Sequence, residues 1–113
     1  MQEKPTRHST YKCNEGCPVE ATLELIGGKW KGVILYHLME KTHRFGELKR
    51  IMPGITQRML TKQLRELEND GLIHRKVYPQ VPPKVEYSLS KTGESLNDII
   101  MMMRDWGKKH FGL

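Results

Sequence analysis

The stretch from Gly54 to Arg75, GITQRMLTKQLRELENDGLIHR, constrains the rest of the chain more than any other. It opens on a turn and a cap signal, Pro53-Gly54-Ile55-Thr56, and its helical pattern stops at Asn69-Asp70-Gly71. Between these signals Leu60, Leu64 and Leu67 recur at steps of four and three, the stripe of an amphipathic helix. At about 100° per residue, Arg58, Lys62 and Arg65 fall on the opposite side. One face must be covered by neighbours, and the other is positive. A helix of that design, held from behind with an arginine-rich edge outward, fits a DNA major groove.

The neighbours can be read in order. Residues 1–12 carry no apolar period and are expected to form a flexible arm, leaving residues 13–113 as a single domain. Cys17-Pro18 begins a helix, because proline favours the first helical position and so places Cys17 at the N-cap. Val19, Leu23 and Ile26 form its apolar face, and Gly27-Gly28 ends it. A second helix is expected from about Lys29 to Glu40, with Trp30, Val33, Ile34, His37 and Leu38 on one side. Arg44 to Met52 reads as a third, short helix with Phe45, Leu48 and Ile51 inward. Two short helices joined by a tight turn, the second amphipathic and basic, make a helix-turn-helix over about residues 44–70.

After Gly71 the apolar period changes to two. Ile73, Arg75 and Val77 alternate with His74, Lys76 and Tyr78, and Val85, Tyr87 and Leu89 share one face beyond Pro79-Gln80-Val81-Pro82-Pro83. This predicts a β-hairpin over about residues 72–89 with a proline-stiffened tip, a wing directly behind the basic helix. A last helix is expected over about residues 92–111, with Leu96, Ile99, Ile100, Met103 and Trp106 as its stripe. The expected fold is therefore mainly α with a small β-hairpin wing.

Charge sharpens the function. Arg44 to Arg65 holds six basic residues and one acid, net +5 of the whole-chain +6, in about one fifth of the 113 residues. An anionic partner follows, nucleic acid or a membrane surface. A membrane-surface helix needs bulky apolar residues exposed beside the basic ones, but the leucines here are committed to the core. The longest aliphatic run, Ile99 to Met103, is too short to span a bilayer, and the N-terminus lacks a signal-peptide core. The expected location is the cytoplasm. Phosphate contacts position a protein, whereas base-edge contacts specify sequence. Gln57, Arg58, Thr61 and Lys62, near the N-terminus of the basic helix behind Thr56, are assigned to base reading. Arg65 and Lys49 are assigned to phosphates, with Arg44 in the same basic surface. Tyr78, Gln80 and Lys84 are the wing's candidates for DNA contact. With 37% hydrophobic residues, a shared dimer surface would relieve a thin core.

The two cysteines, Cys13 and Cys17, cannot form a disulfide framework in a reducing compartment. A thiol at a helix N-cap faces unpaired N–H groups, which suits a redox or electrophile sensor as well as an incidental capping residue. Cys13 is a resolving thiol, a second target or without a role. Cys13, Cys17 and His8 have the wrong spacing for a zinc knuckle, so no metal and no cofactor are expected. No phosphate-binding loop, H-E-x-x-H, G-x-S-x-G or C-x-x-C occurs, so the chain is not expected to be an enzyme. A winged-helix module for protein or RNA binding is the alternative to a DNA-binding regulator.

Several stretches together resemble the HxlR-type regulators, bacterial winged-helix proteins related to the MarR family. They are Cys17-Pro18-Val19-Glu20, Ile26-Gly27-Gly28-Lys29-Trp30-Lys31, Arg44-Phe45-Gly46-Glu47-Leu48 and Ile55-Thr56-Gln57-Arg58-Met59-Leu60. They continue with Leu64 to Ile73, Val81 to Leu89 and Thr92-Gly93-Glu94-Ser95-Leu96. The resemblance implies a homodimer on a dyad-symmetric operator, with the terminal helices as the dimer interface. Here that means Val19 and Leu23 with Leu96, Ile99, Ile100, Met103 and Trp106. It also implies a sensing cysteine before the first helix, the place of Cys17, responsive to electrophiles or oxidants, with a disulfide between subunits as one outcome. Cys13 is outside that pattern.

Overall fold

The computed structural model describes residues 16–113; the expected arm over residues 1–12 and Cys13 lie outside the described residues. The described order is α1 (Pro18–Ile26), α2 (Lys31–Glu40), β1 (His43–Arg44), α3 (Phe45–Ile51) and α4 (Gln57–Asn69). β2 (Ile73–Tyr78), β3 (Lys84–Leu89), α5 (Lys91–Glu94) and α6 (Asn97–Phe111) follow.

The aliphatic stripe of α4 lies at the centre of the core. Leu60, Leu64 and Leu67 are buried against a cluster that includes Ile34 and Leu35 of α2, Leu48 of α3, Ile73, Tyr87 and Ile100. Both ends of α4 stop where the local chemistry requires. Thr56 is the N-cap, and its Oγ1 accepts the Met59 N–H at 3.0 Å. At the other end Gly71 takes φ +80°, the left-handed conformation that glycine adopts without a Cβ clash. The Gly71 N–H then reaches Glu68 O at 3.0 Å and the Leu72 N–H reaches Leu67 O at 3.0 Å, closing the last turn. Gly54, at φ +92°, makes the turn between α3 and α4.

The hairpin register pairs Ile73 with Leu89 and Tyr78 with Lys84. The sheet has a third strand that the sequence did not announce: β1 pairs antiparallel with β3, His43 opposite Tyr87 and Arg44 opposite Glu86, giving the order β1-β3-β2. Two residues are too few to show an alternation. One sheet face carries the row His43–Tyr87–Arg75, and the other carries Arg44–Glu86–Lys76.

Three local expectations change. α2 starts at Lys31 with Trp30 as N-cap, and its buried side chains are Lys31, Ile34, Leu35 and Leu38 while Val33 is exposed. Apolar residues lie on every side of this segment, so periodicity could not select the inward face. Ile51 is exposed and Met52 is buried instead, because the chain leaves helical geometry at Met52 (φ −121°, ψ 76°) and turns that side chain inward. The last helix is broken into α5 and α6 at Ser95-Leu96. Ser90 anchors that break: its Oγ accepts the Gly93 N–H at 3.0 Å and donates to Gly71 O at 2.6 Å, tying α5 to the end of α4.

Candidate nucleic-acid interface

The covered stripe of α4 leaves its other side in solvent. Gln57, Arg58, Lys62 and Arg65 are exposed and Thr61 is half-buried. These residues, with Glu66 and Asn69, line one open concave strip along the helix. Thr61 Oγ1 donates to Gln57 O at 2.9 Å, so its proton is used within the helix and only its lone pairs and methyl face outward. Arg58, Lys62 and Arg65 form no ion pair among the described residues, and their charge is available to a ligand.

α3 precedes α4 and shares its core through Leu48. The Arg44 N–H donates to Glu47 Oε1 at 2.9 Å, half of a capping box at its first turn. That hydrogen bond is the main reason why the Glu47 carboxyl sits below its ordinary value. Arg44 and Lys49 are both exposed.

The wing is ordered by charge. The Tyr78 hydroxyl donates to Glu86 Oε1 at 2.8 Å, and Lys84 Nζ lies 3.3 Å from Glu86 Oε2. The Lys76 and Lys84 ammoniums lie 4.9 and 4.6 Å from the centre of the Tyr78 ring. The Tyr78 hydroxyl proton is therefore already donated, and the residue's evident work is to hold two lysines on the wing. The same hydroxyl is the main reason why the Glu86 carboxyl is lowered; burial opposes it, and Lys84 and then Arg44 add to the lowering. Gln80 is exposed at the tip.

Two features escaped the sequence reading. Arg75 joins Arg65 beside the cleft between α4 and the sheet, because the strand register puts it on the α4 side. Lys31 is buried and its Nζ is 2.6 Å from Glu66 Oε1, so the start of α2 is pinned to α4. Their separation in sequence hides the pair from any local pattern.

Exposed apolar residues are most numerous on and beside the terminal helices, while Val33, Ile51, Val77 and Val81 are exposed elsewhere. Val19, Leu23, Ile99, Met103 and Trp106 are exposed, as are Met102, Phe111 and Leu113. Leu96 and Ile100 belong instead to the chain's own core, 9% and 3% exposed, which removes them from the outer face of α6. Cys17 is the exposed N-cap of α1 and makes no side-chain capping bond. No helix among the described residues is long and apolar enough to cross a membrane.

A basic helix presented by a helix-turn-helix and flanked by an ordered basic hairpin defines a winged helix-turn-helix DNA-binding regulator. The chain belongs to the HxlR-like helix-turn-helix family, which matches residues 25–112. It is 64% identical over 96 residues to the uncharacterized HTH-type transcriptional regulator YdeP of Bacillus subtilis (strain 168), covering 85% of this chain and 75% of YdeP. Among solved structures it is similar to the redox regulator HypR in its oxidized form, with 60% identity and a TM-score of 0.80 over 82% of this chain and 96% of HypR. The reduced form of HypR matches at the same identity and TM-score, over 81% of this chain and 91% of that one.

Proposed function

We propose that this regulator acts as a homodimer on an inverted-repeat operator, and that thiol chemistry at Cys17 sets its affinity. The carrying observation is the pairing of two faces: α4 offers unpaired basic side chains, while α1 and α6 leave Val19, Leu23, Ile99, Met103 and Trp106 uncovered elsewhere. Exposed aliphatic and aromatic side chains clustered on terminal helices are a surface that a second copy would cover. Two copies of α4 related by a dyad would meet successive major grooves about 34 Å apart. Gln57, Arg58 and Lys62 would read base edges, and Arg44, Lys49 and Arg65 would hold the backbone.

The redox part rests on the place of Cys17, exposed at the N-cap of α1, and on the likeness to HypR, a redox regulator by name. Two Cys17 thiols, one from each protomer, would form a disulfide. Two protons and two electrons would leave to an external oxidant such as hypochlorite or a quinone. A bond there would change the spacing or tilt of the two α4 helices, which is the quantity that the operator reads.

The test is a gel shift on DNA upstream of the protein's own gene, with and without oxidant, for wild type and Cys17→Ser. Oxidant should change wild-type binding and leave Cys17→Ser unchanged. Equal responses would remove Cys17 as the sensor. Sedimentation at working concentration should give a dimer that Leu23→Asp converts to monomer, and a monomeric wild type would contradict the dimer.

A further inference from the structure

We propose that the cleft between α4 and the wing is a seat for one phosphodiester of the DNA backbone, gripped jointly by Arg65 and Arg75. The proposal rests on the DNA-binding reading and adds a site to it. The cleft holds about 320 Å³ and is lined by Thr61, Leu64, Arg65 and Glu68 of α4 with Arg75 and Tyr87 of the sheet. Leu64 and Tyr87 are buried and close its floor. Arg65 and Arg75 are exposed, and neither forms an ion pair among the described residues. Thr61 and Arg65 line both this cleft and the open strip along α4, so the cleft opens beside the reading surface.

Charge selects the occupant. Two guanidiniums and the Glu68 carboxylate leave one positive charge in the cleft, and a phosphodiester carries one negative charge. Guanidiniums present planar forks of N–H donors, the geometry that matches two phosphate oxygens. The Thr61 hydroxyl proton is already donated to Gln57 O, so the two arginines supply the donors. Glu68 repels an anion that does not sit between the two forks, which makes the seat selective for position. Because one arginine comes from the helix and the other from the wing strand, a bound phosphate would set the angle between them. Arg75 is thereby a positioning residue for the reading helix as well as a phosphate ligand.

The experiment is fluorescence anisotropy with two duplexes, one selected by the protein from a random library and one of mixed sequence, titrated with salt. Arg75→Gln should weaken binding to both duplexes by a similar factor, about tenfold. It should also lower the slope of log affinity against log salt by about 0.9, the loss of one phosphate contact. Arg75→Lys should keep the slope and recover only part of the affinity. Replacing single phosphates by uncharged methylphosphonates should reveal one backbone position that matters to wild type and is silent in Arg75→Gln. Wild-type affinity and slope in Arg75→Gln, or identical methylphosphonate profiles for the two proteins, would overturn the seat while leaving DNA binding intact. A wild type that binds neither duplex would overturn the DNA-binding reading and the seat with it. Arg75 is exposed, so unchanged melting of each variant shows that folding is not the cause.

Discussion

Removing one end of the Lys31–Glu66 ion pair should cost more stability than removing both. Lys31 Nζ is 2.6 Å from Glu66 Oε1, and the two side chains are 8% and 25% exposed. At an effective dielectric of about 20, attraction at that distance is about 6 kcal/mol. Taking each charge out of water costs several kcal/mol, so the intact pair is close to break-even against a packed apolar pair. Glu66→Gln strands a buried ammonium and should destabilise by about 3–5 kcal/mol. Lys31→Met removes the ammonium beside a carboxylate that is already a quarter exposed and can rehydrate, so its cost should be smaller, about 1–3 kcal/mol. Lys31→Met/Glu66→Met should lie within about 1 kcal/mol of wild type. Urea unfolding followed by far-UV circular dichroism measures all four proteins, at one fixed protomer concentration because association adds to apparent stability. A coupling energy below about 0.5 kcal/mol, or a costlier Lys31→Met than Glu66→Gln, would refute the reasoning. The pair also pins the start of α2 to α4 at a residue that lines the open basic strip. Glu66→Gln should therefore weaken DNA binding even in samples that remain folded.

Thr56→Ala should cost about 1 kcal/mol through loss of the cap on the Met59 N–H, and Thr56→Ser should be close to neutral in the same unfolding assay. Leu60→Ala removes a fully buried side chain from the stripe and should cost about 2–5 kcal/mol; a loss under about 1 kcal/mol would mean that the site collapses around the gap. Acid should destabilise the fold in two stages. His37 is held below 6.5 chiefly by burial, so the folded state binds protons less readily and stability starts to fall as pH drops below 6.5. Glu47 and Glu86 are held below 4.5, chiefly by the Arg44 N–H and the Tyr78 hydroxyl. Their contribution is full above 4.5 and drains as pH falls through their lower folded values. A Tm that stays flat from pH 6.5 downward would contradict both assignments.

Much of the architecture was legible because it depends on local chemistry. The Thr56 cap, the leucine stripe and Asn69-Asp70-Gly71 predicted α4, and the observed helix runs Gln57–Asn69. The period of two on either side of Pro79–Pro83 predicted β2 and β3, which pair as expected. The larger illegible parts join residues distant in sequence. β1 becomes a strand only because β3 lies beside it. Leu96 and Ile100 share the apolar stripe of α6 with Ile99 and Met103, yet the first two face the core and the others face solvent. Periodicity marks the stripe, and packing alone divides it into an inner and an outer half.

The same division runs through the functional surface. The sequence by itself determined that a basic edge would lie opposite the leucines of α4, because helical geometry converts spacing into direction. It also determined that Cys17 would stand at the N-cap position of α1, since Pro18 starts the helix behind it. Only the tertiary structure decided which other charges share that edge. Register turned Arg75 toward α4 and placed Glu86 between Arg44 and Lys76. Packing buried Lys31 against Glu66, where a chain read locally shows an ordinary surface lysine. A charge's role depends on burial and on its partners, and both are set by contacts between segments that no stretch of sequence contains together.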